Sequence, residues 1–445
     1  MVKPRSGWFY RLLGGLANLF RWLIPGLGIK RWYLLIFLGI TLLAVGFGVV
    51  ILEVYRTTPD DAWWLQLISI ASLRFLARPV RALIFGGLGV GLILFGIWKL
   101  NRSMLSPFIA PGHSMLDTLR DHRQRGRGPR IVAIGGGHGL ATLLRGLKQY
   151  SRNITAVVSV ADDGGSSGRL RRELGILPPG DIRNCLAALS SDEALLTQLF
   201  QYRFPAQYGS LEGHSFGNLF ISALAEITGS FEDAVVESGR VLAITGRVLP
   251  SSLHNLRLVA DVRVPMTAKE VRVEGESHIP DSPGQVVRVW LEPSNPSAFP
   301  EVIQAILAAD MIVIGPGSLY TSVLPNLLVP EIMDAVRASR AFKAYVCNVA
   351  TQPGETDGYT VRDHLRALEA HVGGGFFEVV LANDRCDGRL PEGVDWVPID
   401  PDLASEYSIH AADFSDELHP ARHDARKLAS FLMELLEERT GPLVE

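Results

Sequence analysis

Cysteine is scarce in this chain of 445 residues: only Cys185, Cys347 and Cys386 occur, far apart and without a C-x-x-C pair. No spacing of cysteine and histidine typical of a structural zinc site is present, and disulfide frameworks need more cysteines than this. The composition therefore excludes a small disulfide-stapled protein and favours a reducing compartment. Cys185 and Cys347 lie among apolar residues, which indicates packing rather than a nucleophilic role.

Internal repeats are also absent, which argues against a solenoid or a propeller. The net charge of -3 conceals an asymmetry: residues 1–130 contain 17 Lys/Arg against 5 Asp/Glu, and the remaining 315 contain 26 against 41. A basic first part suits nucleic acid or anionic lipid. Aromatic residues do not interleave with the charges of the tract 99–129, which ends RQRGRGPR, and apolar runs lie beside the basic residues. We therefore expect a lipid surface and no nucleic acid.

Charge is missing altogether from residues 32–52, which form a run of 21 residues. At about 1.5 Å per residue this run spans the roughly 30 Å hydrocarbon core and predicts a transmembrane helix. Residues 80–98 are richer in glycine and predict a second span, with a buried amphipathic helix as the alternative. The basic flanks, a terminus at 1–31 and a linker at 99–129, place both ends in the cytoplasm, with 53–79 as an external loop.

Strand-like and helix-like stretches alternate over residues 130–440. A β-branched run breaks into glycines, resumes with helical spacing of leucines, and is followed by a second strand-like run that ends on Asp162 and Asp163. This order predicts an α/β domain with an open, mostly parallel sheet and a ligand crevice at the carboxyl ends of its strands. Period-two alternation between about 253 and 291 predicts an antiparallel excursion.

The first glycine turn contains Gly135, Gly136 and Gly137, followed by His138. Its backbone amides could approach a phosphate group at the start of the next helix. A plain strand-to-helix turn is an equal alternative, because no lysine follows as in a P-loop and the G-x-G-x-x-G pattern is not clean.

A second glycine turn contains Gly315, Gly317 and Ser318 and directly follows a predicted strand, Met311–Ile314. It is a second candidate site for an anion. Two such turns in one sheet indicate phosphate binding more strongly than either turn alone.

The loop that begins at Asp162 and Asp163 combines acids, glycines, serines and arginines. The two carboxylates could hold a divalent cation such as Mg²⁺ or bind ribose hydroxyls, and Ser166, Ser167 and Arg169 could contact phosphate oxygens. The alternative is a solvated loop that caps a helix.

Two further polar motifs follow. Asp181 lies after two prolines and a glycine, where the capping residue of a helix is expected. His214 and Asn218 are four residues apart and share one face if that segment is helical. They form either a ligand-contacting pair or a local cap, and no third ligand nearby supports a metal pair.

Together these motifs resemble the YvcK gluconeogenesis-factor family, within a larger group that includes the 2-phospho-L-lactate transferases. The matching segments are IGGGHGL, VSVADDGGSSGRLR, LPPGDIRN, GHSFGNL, ADMIVIGPGSLYTSVLPNLLV, VCNVATQPGETDGYT and a late RHD. The resemblance implies a core with a Rossmann-like, doubly wound sheet. In the YvcK branch it also implies binding of UDP-sugars such as UDP-N-acetylglucosamine, with a role in cell morphogenesis and wall-precursor regulation. In the transferase branch it implies transfer of a phospholactyl group to a deazaflavin with a divalent metal.

The resemblance also places nucleotide-sugar contacts on the two glycine turns, Asp162, Asp163, Asn218, Tyr359 and Arg422. Tyr359 is expected to stack on a base and Arg422 to bind the diphosphate, whereas His138 replaces the family's usual threonine. Two hypotheses remain. One is a regulator without an obligatory reaction, anchored in a bacterial-type cytoplasmic membrane. The other is a transferase in which Asp162 and Asp163 hold Mg²⁺. The oligomeric state stays open, a homo-oligomer included.

Overall fold

The computed structural model describes residues 128–190, 195–264 and 269–440, with scattered positions between 40 and 95. Chain contacts divide the protein into two compact units, Met1–Ile109 and Ala110–Glu445. Among the described residues, no helix is both long and apolar enough to cross a bilayer. The predicted N-terminal segments lie outside the described residues, apart from isolated positions, and stay predictions: 1–31, 32–52, 53–79, 80–98 and 99–129.

Ten strands are described in the second unit. They are β1 (Ile131–Gly135), β2 (Ile154–Val158), β3 (Arg247–Pro250), β4 (Arg257–Arg263), β5 (Glu270–Glu274), β6 (Gln285–Glu292), β7 (Met311–Ile314), β8 (Phe342–Val346), β9 (Val379–Asn383) and β10 (Ile409–Ala412). Seven of them form one sheet in the order β10-β9-β8-β7-β1-β2-β3, and every pair is parallel. The predicted Rossmann-like, doubly wound sheet is confirmed.

The strand order reverses direction between β1 and β7. From β1 the chain moves outward through β2 and β3, and from β7 it moves outward on the other side through β8, β9 and β10. A doubly wound sheet opens a crevice at such a switch point, beyond the carboxyl ends of the two central strands. The fold therefore places both glycine turns, which follow β1 and β7, at the same crevice.

The central strands are apolar because both faces of the sheet are covered. Every residue of β1, β2, β7 and β9 is buried, as expected for parallel strands with helices on both sides. The helices are α1 (Gly137–Leu147), α2 (Gly165–Leu174), α3 (Gly180–Leu189), α4 (Leu195–Gln201), α5 (Phe216–Thr228), α6 (Phe231–Val241), α7 (Pro300–Ala308), α8 (Leu324–Leu327), α9 (Pro330–Ala338), α10 (Val361–Val372) and α11 (Ala425–Thr440).

The last helix, α11, packs against the first helix, α1. A Cβ atom at Gly146 of α1 would lie 2.0 Å from the carbonyl oxygen of Ala425, so glycine allows α11 to approach closely. Leu428, Leu432 and Leu436 are fully buried. The helix begins at Ala425 because Asp424 precedes it and accepts hydrogen bonds from two amides of its first turn.

The predicted antiparallel excursion is also confirmed. Strand β4 pairs with β5 and with β6, and both pairs are antiparallel. A short 3-10 turn, Glu276–His278, follows β5. This turn returns the chain to the edge of the crevice.

Candidate functional site

A cleft of about 480 Å³ opens at the switch point. The glycine turns, the acid loop after β2, the turn after β8 and the segment before α11 all contribute to it. Its principal lining residues are Gly136, Gly137, His138, Gly139, Asp162, Asp181, Glu276, Gly317, Ser318, Thr321, Ser322, Asn348, Gln352 and Arg422. A cleft of this size suits a small organic ligand.

At two positions of the first glycine turn, a side chain would collide with a neighbouring residue unless that residue shifted. A Cβ atom at Gly136 would lie 2.6 Å from Oδ2 of Asp181, and one at Gly139 would lie 2.6 Å from the carbonyl oxygen of Pro316. Gly137 has a φ of +62°, which favours glycine. Gly135 is the last residue of β1 and is not among the lining residues.

Free amides at this turn come from the start of helix α1. The N–H of Gly137 donates to the carboxylate of Asp181. The N–H groups of His138 and Gly139 belong to the first helical turn and have no acceptor within the helix. These two amides, together with the positive end of the helix dipole, form the part of the turn best able to bind an anion.

The second glycine turn faces the first and is held by an asparagine. Asn348 accepts a hydrogen bond from the N–H of Gly317 at 3.2 Å and donates one to its carbonyl oxygen at 3.0 Å. Gly315 has a φ of +79° and lies beneath the turn, where a Cβ atom would lie 2.7 Å from the carbonyl oxygen of Val346. Gly317 and Ser318 line the cleft, whereas Gly315 shapes the backbone behind it.

The two acids of the loop after β2 diverge. Asp162 lines the cleft, and its Oδ1 accepts a hydrogen bond from the N–H of Gly164 at 2.9 Å. Asp163 turns toward the excursion, where its Oδ1 accepts from the N–H of Ser277 at 3.0 Å. The structure therefore does not bring these two carboxylates to one point, and their predicted shared Mg²⁺ stays a prediction. No group of three metal-ligating side chains is found in the described ranges.

Asp181 lies in the cleft and not at the cap of its helix. Helix α3 begins at Gly180 with Pro179 at the N-cap position, so the predicted capping role of Asp181 is wrong. The sequence Pro-Pro-Gly explains the difference, because a proline needs no N–H partner and its fixed φ suits a helix start. Burial, followed by the neighbouring Asp162 carboxylate, raises the pKa of Asp181 to about 6.

Four predicted contact residues lie behind Asp162 and form one hydrogen-bonded group. Asn218 Nδ2 donates to Ser166 Oγ at 3.0 Å and lies 3.5 Å from Ser167 Oγ, and Ser166 Oγ is 3.0 Å from His214 Nδ1. Ser167 is hydrogen-bonded to the Asp162 carboxyl. The side chains of Ser166, Ser167, His214 and Asn218 are at least 96% buried, and none of them lines the cleft. Their observed contacts hold the acid loop in place.

Tyr359 is also buried outside the cleft lining. Its hydroxyl is 2.8 Å from the hydroxyl of Tyr320, and its ring packs against His364. The predicted stacking of Tyr359 on a base stays a prediction. Arg422 does line the cleft, and its side chain is exposed. Burial, followed by the charge of Arg422, lowers the pKa of His138, so that this imidazole is neutral at pH 7.

The wall opposite the acid loop is built around Glu355, which the sequence pattern did not single out. Its carboxylate accepts hydrogen bonds from Thr321 Oγ1 at 2.9 Å, Gln352 Nε2 at 2.7 Å and the N–H of Tyr320 at 3.3 Å. Burial raises the pKa of Glu355 to about 7. Thr321 and Gln352 line the cleft, so this buried carboxyl fixes two of its polar groups.

Known proteins match this chain over most of its length. Residues 131–438 match a family model described as 2-phospho-L-lactate transferase CofD. A Nostoc protein described as a putative gluconeogenesis factor is 51% identical over 378 residues, which is 82% of this chain and 79% of the relative. The gluconeogenesis factor of Bacillus subtilis is 46% identical over 325 residues, covering 70% of this chain and all of that protein.

The fold agrees as well. A crystal structure from Bacillus halodurans superimposes with a TM-score of 0.64 at 44% sequence identity, covering 69% of this chain and 99% of that chain. The relatives and the fold thus lead to one assignment: the chain belongs to the gluconeogenesis-factor family within the wider CofD group.

Proposed function

We propose that this chain is a regulatory protein that binds a nucleotide-sugar of the UDP-N-acetylglucosamine type in the switch-point cleft. In this proposal it acts in wall-precursor metabolism and cell morphogenesis, at the cytoplasmic face of the membrane that its N-terminal region enters. The observation that carries the proposal is the cleft itself, which combines an anion site and a carboxylate on neighbouring walls.

The diphosphate of such a ligand fits the basic side of the cleft. The amides of His138 and Gly139 are oriented by helix α1, and Arg422 supplies a guanidinium that can bind phosphate oxygens in bidentate fashion. No side chain at Gly136 or Gly137 shields the turn. A phosphate group can therefore approach the backbone closely.

The hydroxyl groups of the ligand fit the acidic side. Hydrogen bonds from the N–H of Gly164 and from Ser167 fix the carboxyl of Asp162, which lines the cleft. Carboxylates accept hydrogen bonds from vicinal hydroxyls, as in the acidic residue that binds ribose in dinucleotide folds. Asn348 and Gln352 add amide groups on the facing wall.

The proposal is tested by calorimetric titration of the full-length chain, purified in detergent, with UDP-N-acetylglucosamine. Arg422→Ala should weaken binding about 10- to 100-fold, because a charge-assisted hydrogen bond contributes about 1.5–3 kcal/mol. Arg426→Ala is the matched variant, since Arg426 is also exposed but is not among the lining residues. If both variants bind the ligand with the affinity of the wild type, the ligand does not bind at Arg422 in the cleft, and the proposed site is wrong.

A transferase that acts on a nucleotide- or diphosphate-activated donor is the second candidate. Asp162 and Asp181 favour it, because both carboxyls lie in the cleft and interact electrostatically. Mg²⁺ is usually held by one or two carboxylates together with substrate phosphates, so these two residues would hold the ion. When bound, it would neutralise charge on a transferring phosphate group.

Mass analysis of the ligand separates the two candidates. The regulatory proposal predicts that UDP-N-acetylglucosamine is recovered unchanged after incubation with the chain and Mg²⁺. Steady formation of a product that is abolished by Asp162→Ala would support the transferase instead. Asp281→Ala serves as the matched variant, because Asp281 is exposed and is not a lining residue.

The membrane part of the proposal rests on residues 32–52 and 80–98, whose composition predicts two spans. It predicts that a reporter fused to the C-terminus is active in the cytoplasm. A reporter that is active only outside the cytoplasm would refute this orientation.

A further inference from the structure

Glu276 reaches the cleft from the antiparallel excursion. Of the described residues that line the cleft, it is the one that comes from the β4–β6 segment. The preceding Gly275 has a φ of +99°, and a Cβ atom there would lie 2.2 Å from Oδ2 of Asp163. Asp163 therefore packs against Gly275 while it accepts the hydrogen bond of Ser277. These contacts on both sides of Glu276 fix its backbone at the edge of the cleft.

No hydrogen bond or ion pair to the Glu276 carboxyl is found among the described residues. The charged groups that face it come from the acid loop, from α3 and from the segment after β8, and all are carboxyls: Asp162, Asp181, Glu355 and Asp163. His278, on the same turn, directs its Nδ1 to the carbonyl oxygen of Glu274. Burial and these acids raise the pKa of Glu276 to about 8. At neutral pH Glu276 is therefore protonated and can donate as well as accept a hydrogen bond.

This environment selects the kind of group that can bind there. A second anion would be repelled by the surrounding carboxyls, and the diphosphate has its own partners at His138, Gly139 and Arg422. A neutral hydroxyl group can donate to Asp162 and accept from the protonated Glu276. We propose that Glu276 binds a hydroxyl group of the nucleotide-sugar ligand and thereby determines its specificity. This inference rests on the proposed function.

The test compares three ligands on the full-length chain in detergent: UDP-N-acetylglucosamine, UDP and inorganic pyrophosphate. Glu276→Ala should weaken UDP-N-acetylglucosamine binding about tenfold and leave pyrophosphate binding within about twofold. If Glu276→Ala weakens UDP binding by the same factor, the hydroxyl group belongs to the ribose. If UDP binding is retained, the hydroxyl group belongs to the N-acetylglucosamine. Both results support the inference. Glu274→Gln is the matched variant, because Glu274 is exposed, pairs with Arg257 and is not a lining residue.

A pH series gives a second measurement that a purely structural role would not change. The wild-type affinity for UDP-N-acetylglucosamine should fall between about pH 7 and pH 9, as the Glu276 carboxyl ionises beside other acids. Glu276→Gln keeps a neutral hydrogen-bonding side chain, so its affinity should fall less than that of the wild type over the same range. The change that remains is expected from Glu355, whose pKa is about 7.

The possible failures are distinguishable. If the wild type does not bind UDP-N-acetylglucosamine, the proposed function falls and this inference falls with it. If the wild type binds but Glu276→Ala weakens all three ligands equally, or weakens none, only the inference is overturned. The same holds if Glu276→Gln retains the wild-type pH dependence.

Discussion

Asp163 accepts a hydrogen bond from the backbone N–H of Ser277 across 114 residues of sequence. This contact joins the acid loop after β2 to the turn after β5, and so connects the parallel sheet to the antiparallel excursion. The adjacent acids Asp162 and Asp163 thus differ in position: one faces the cleft and the other holds the turn that carries Glu276.

Asp163→Ala should therefore act on stability and on binding together. Loss of the acceptor leaves the Ser277 N–H unpaired and should lower the free energy of unfolding by about 1–3 kcal/mol. Release of the turn should also weaken UDP-N-acetylglucosamine binding. Denaturant unfolding and calorimetry measure the two effects. Asp281 is exposed and lies four residues after Ser277, so Asp281→Ala should change neither stability nor binding. An Asp163→Ala protein with wild-type stability would contradict the role given to the contact between Asp163 and Ser277.

Asn218→Ala should disturb Asp162 from a distance. The amide donates to Ser166 and lies near Ser167, and Ser167 is bonded to the Asp162 carboxyl. We expect a loss of about 1–3 kcal/mol in the free energy of unfolding, because a buried network loses its central donor. The affinity for UDP-N-acetylglucosamine should fall as well.

Ser167→Ala provides the comparison for Asn218→Ala. It removes the direct hydrogen bond to Asp162 and leaves Asn218 in place, so it should weaken binding at least as much while costing less stability. If Asn218→Ala weakens binding and Ser167→Ala does not, Asn218 acts on the ligand by another route, such as the direct contact that the family resemblance implies.

Gly136→Ala should lower the stability of the protein more than Gly135→Ala does, although the two residues are neighbours. At Gly136 a Cβ atom would lie 2.6 Å from Oδ2 of Asp181 and 3.2 Å from Cβ of Ser322, whereas at Gly135 the nearest atom would be 3.7 Å away. Gly136→Ala should cost about 1–3 kcal/mol through overpacking. Gly135→Ala should stay within about 1 kcal/mol of the wild type. Thermal or denaturant unfolding decides, and equal stabilities would contradict the close packing of the turn against Asp181.

The stability of the ligand-free chain should fall as pH rises through the neutral range. The pKa of Glu276 is raised from 4.5 to about 8 and that of Glu355 from 4.5 to about 7. Between the unfolded and folded pKa values the folded state retains protons that the unfolded state has released, so the free energy of unfolding decreases with pH. Below about pH 4.5 both states are protonated and this effect disappears.

Glu276→Gln should reduce that decrease between pH 4.5 and about 8, because the amide does not titrate. Denaturant unfolding at several pH values measures the slope. Glu274→Gln is again the matched variant and should retain the wild-type slope. A slope that is the same in all three proteins would show that Glu276 titrates at its ordinary pKa.

Local sequence patterns predicted the sheet well, because buried parallel strands need uninterrupted apolar runs. The strand Met311–Ile314 has the predicted bounds, and the period-two alternation correctly indicates β4–β6. The glycine turns could also be placed at one crevice, since both follow strands of the same sheet. The start of α3 does not follow the capping preference of aspartate, because Pro179 occupies the N-cap position and the helix begins at Gly180.

The cleft itself was only partly predictable. The residues Gly136, Gly137, Asp162, Gly317, Ser318 and Arg422 belong to the predicted motifs and line the cleft, and their contact with a ligand stays a prediction. No local sequence pattern predicts that Glu276 and Glu355 lie at the cleft, because their positions depend on contacts between segments that are far apart in sequence. Ser166 and Asn218 carry a recognisable motif, but a motif does not distinguish a side chain that contacts a ligand from one that supports its neighbour.

The most direct measurement is a calorimetric titration of the full-length chain with UDP-N-acetylglucosamine, in parallel with the Arg422→Ala and Arg426→Ala variants. The proposed function predicts saturable binding to the wild type and to Arg426→Ala, and binding weakened about 10- to 100-fold in Arg422→Ala. No binding to the wild type, or equal binding to all three proteins, would contradict it.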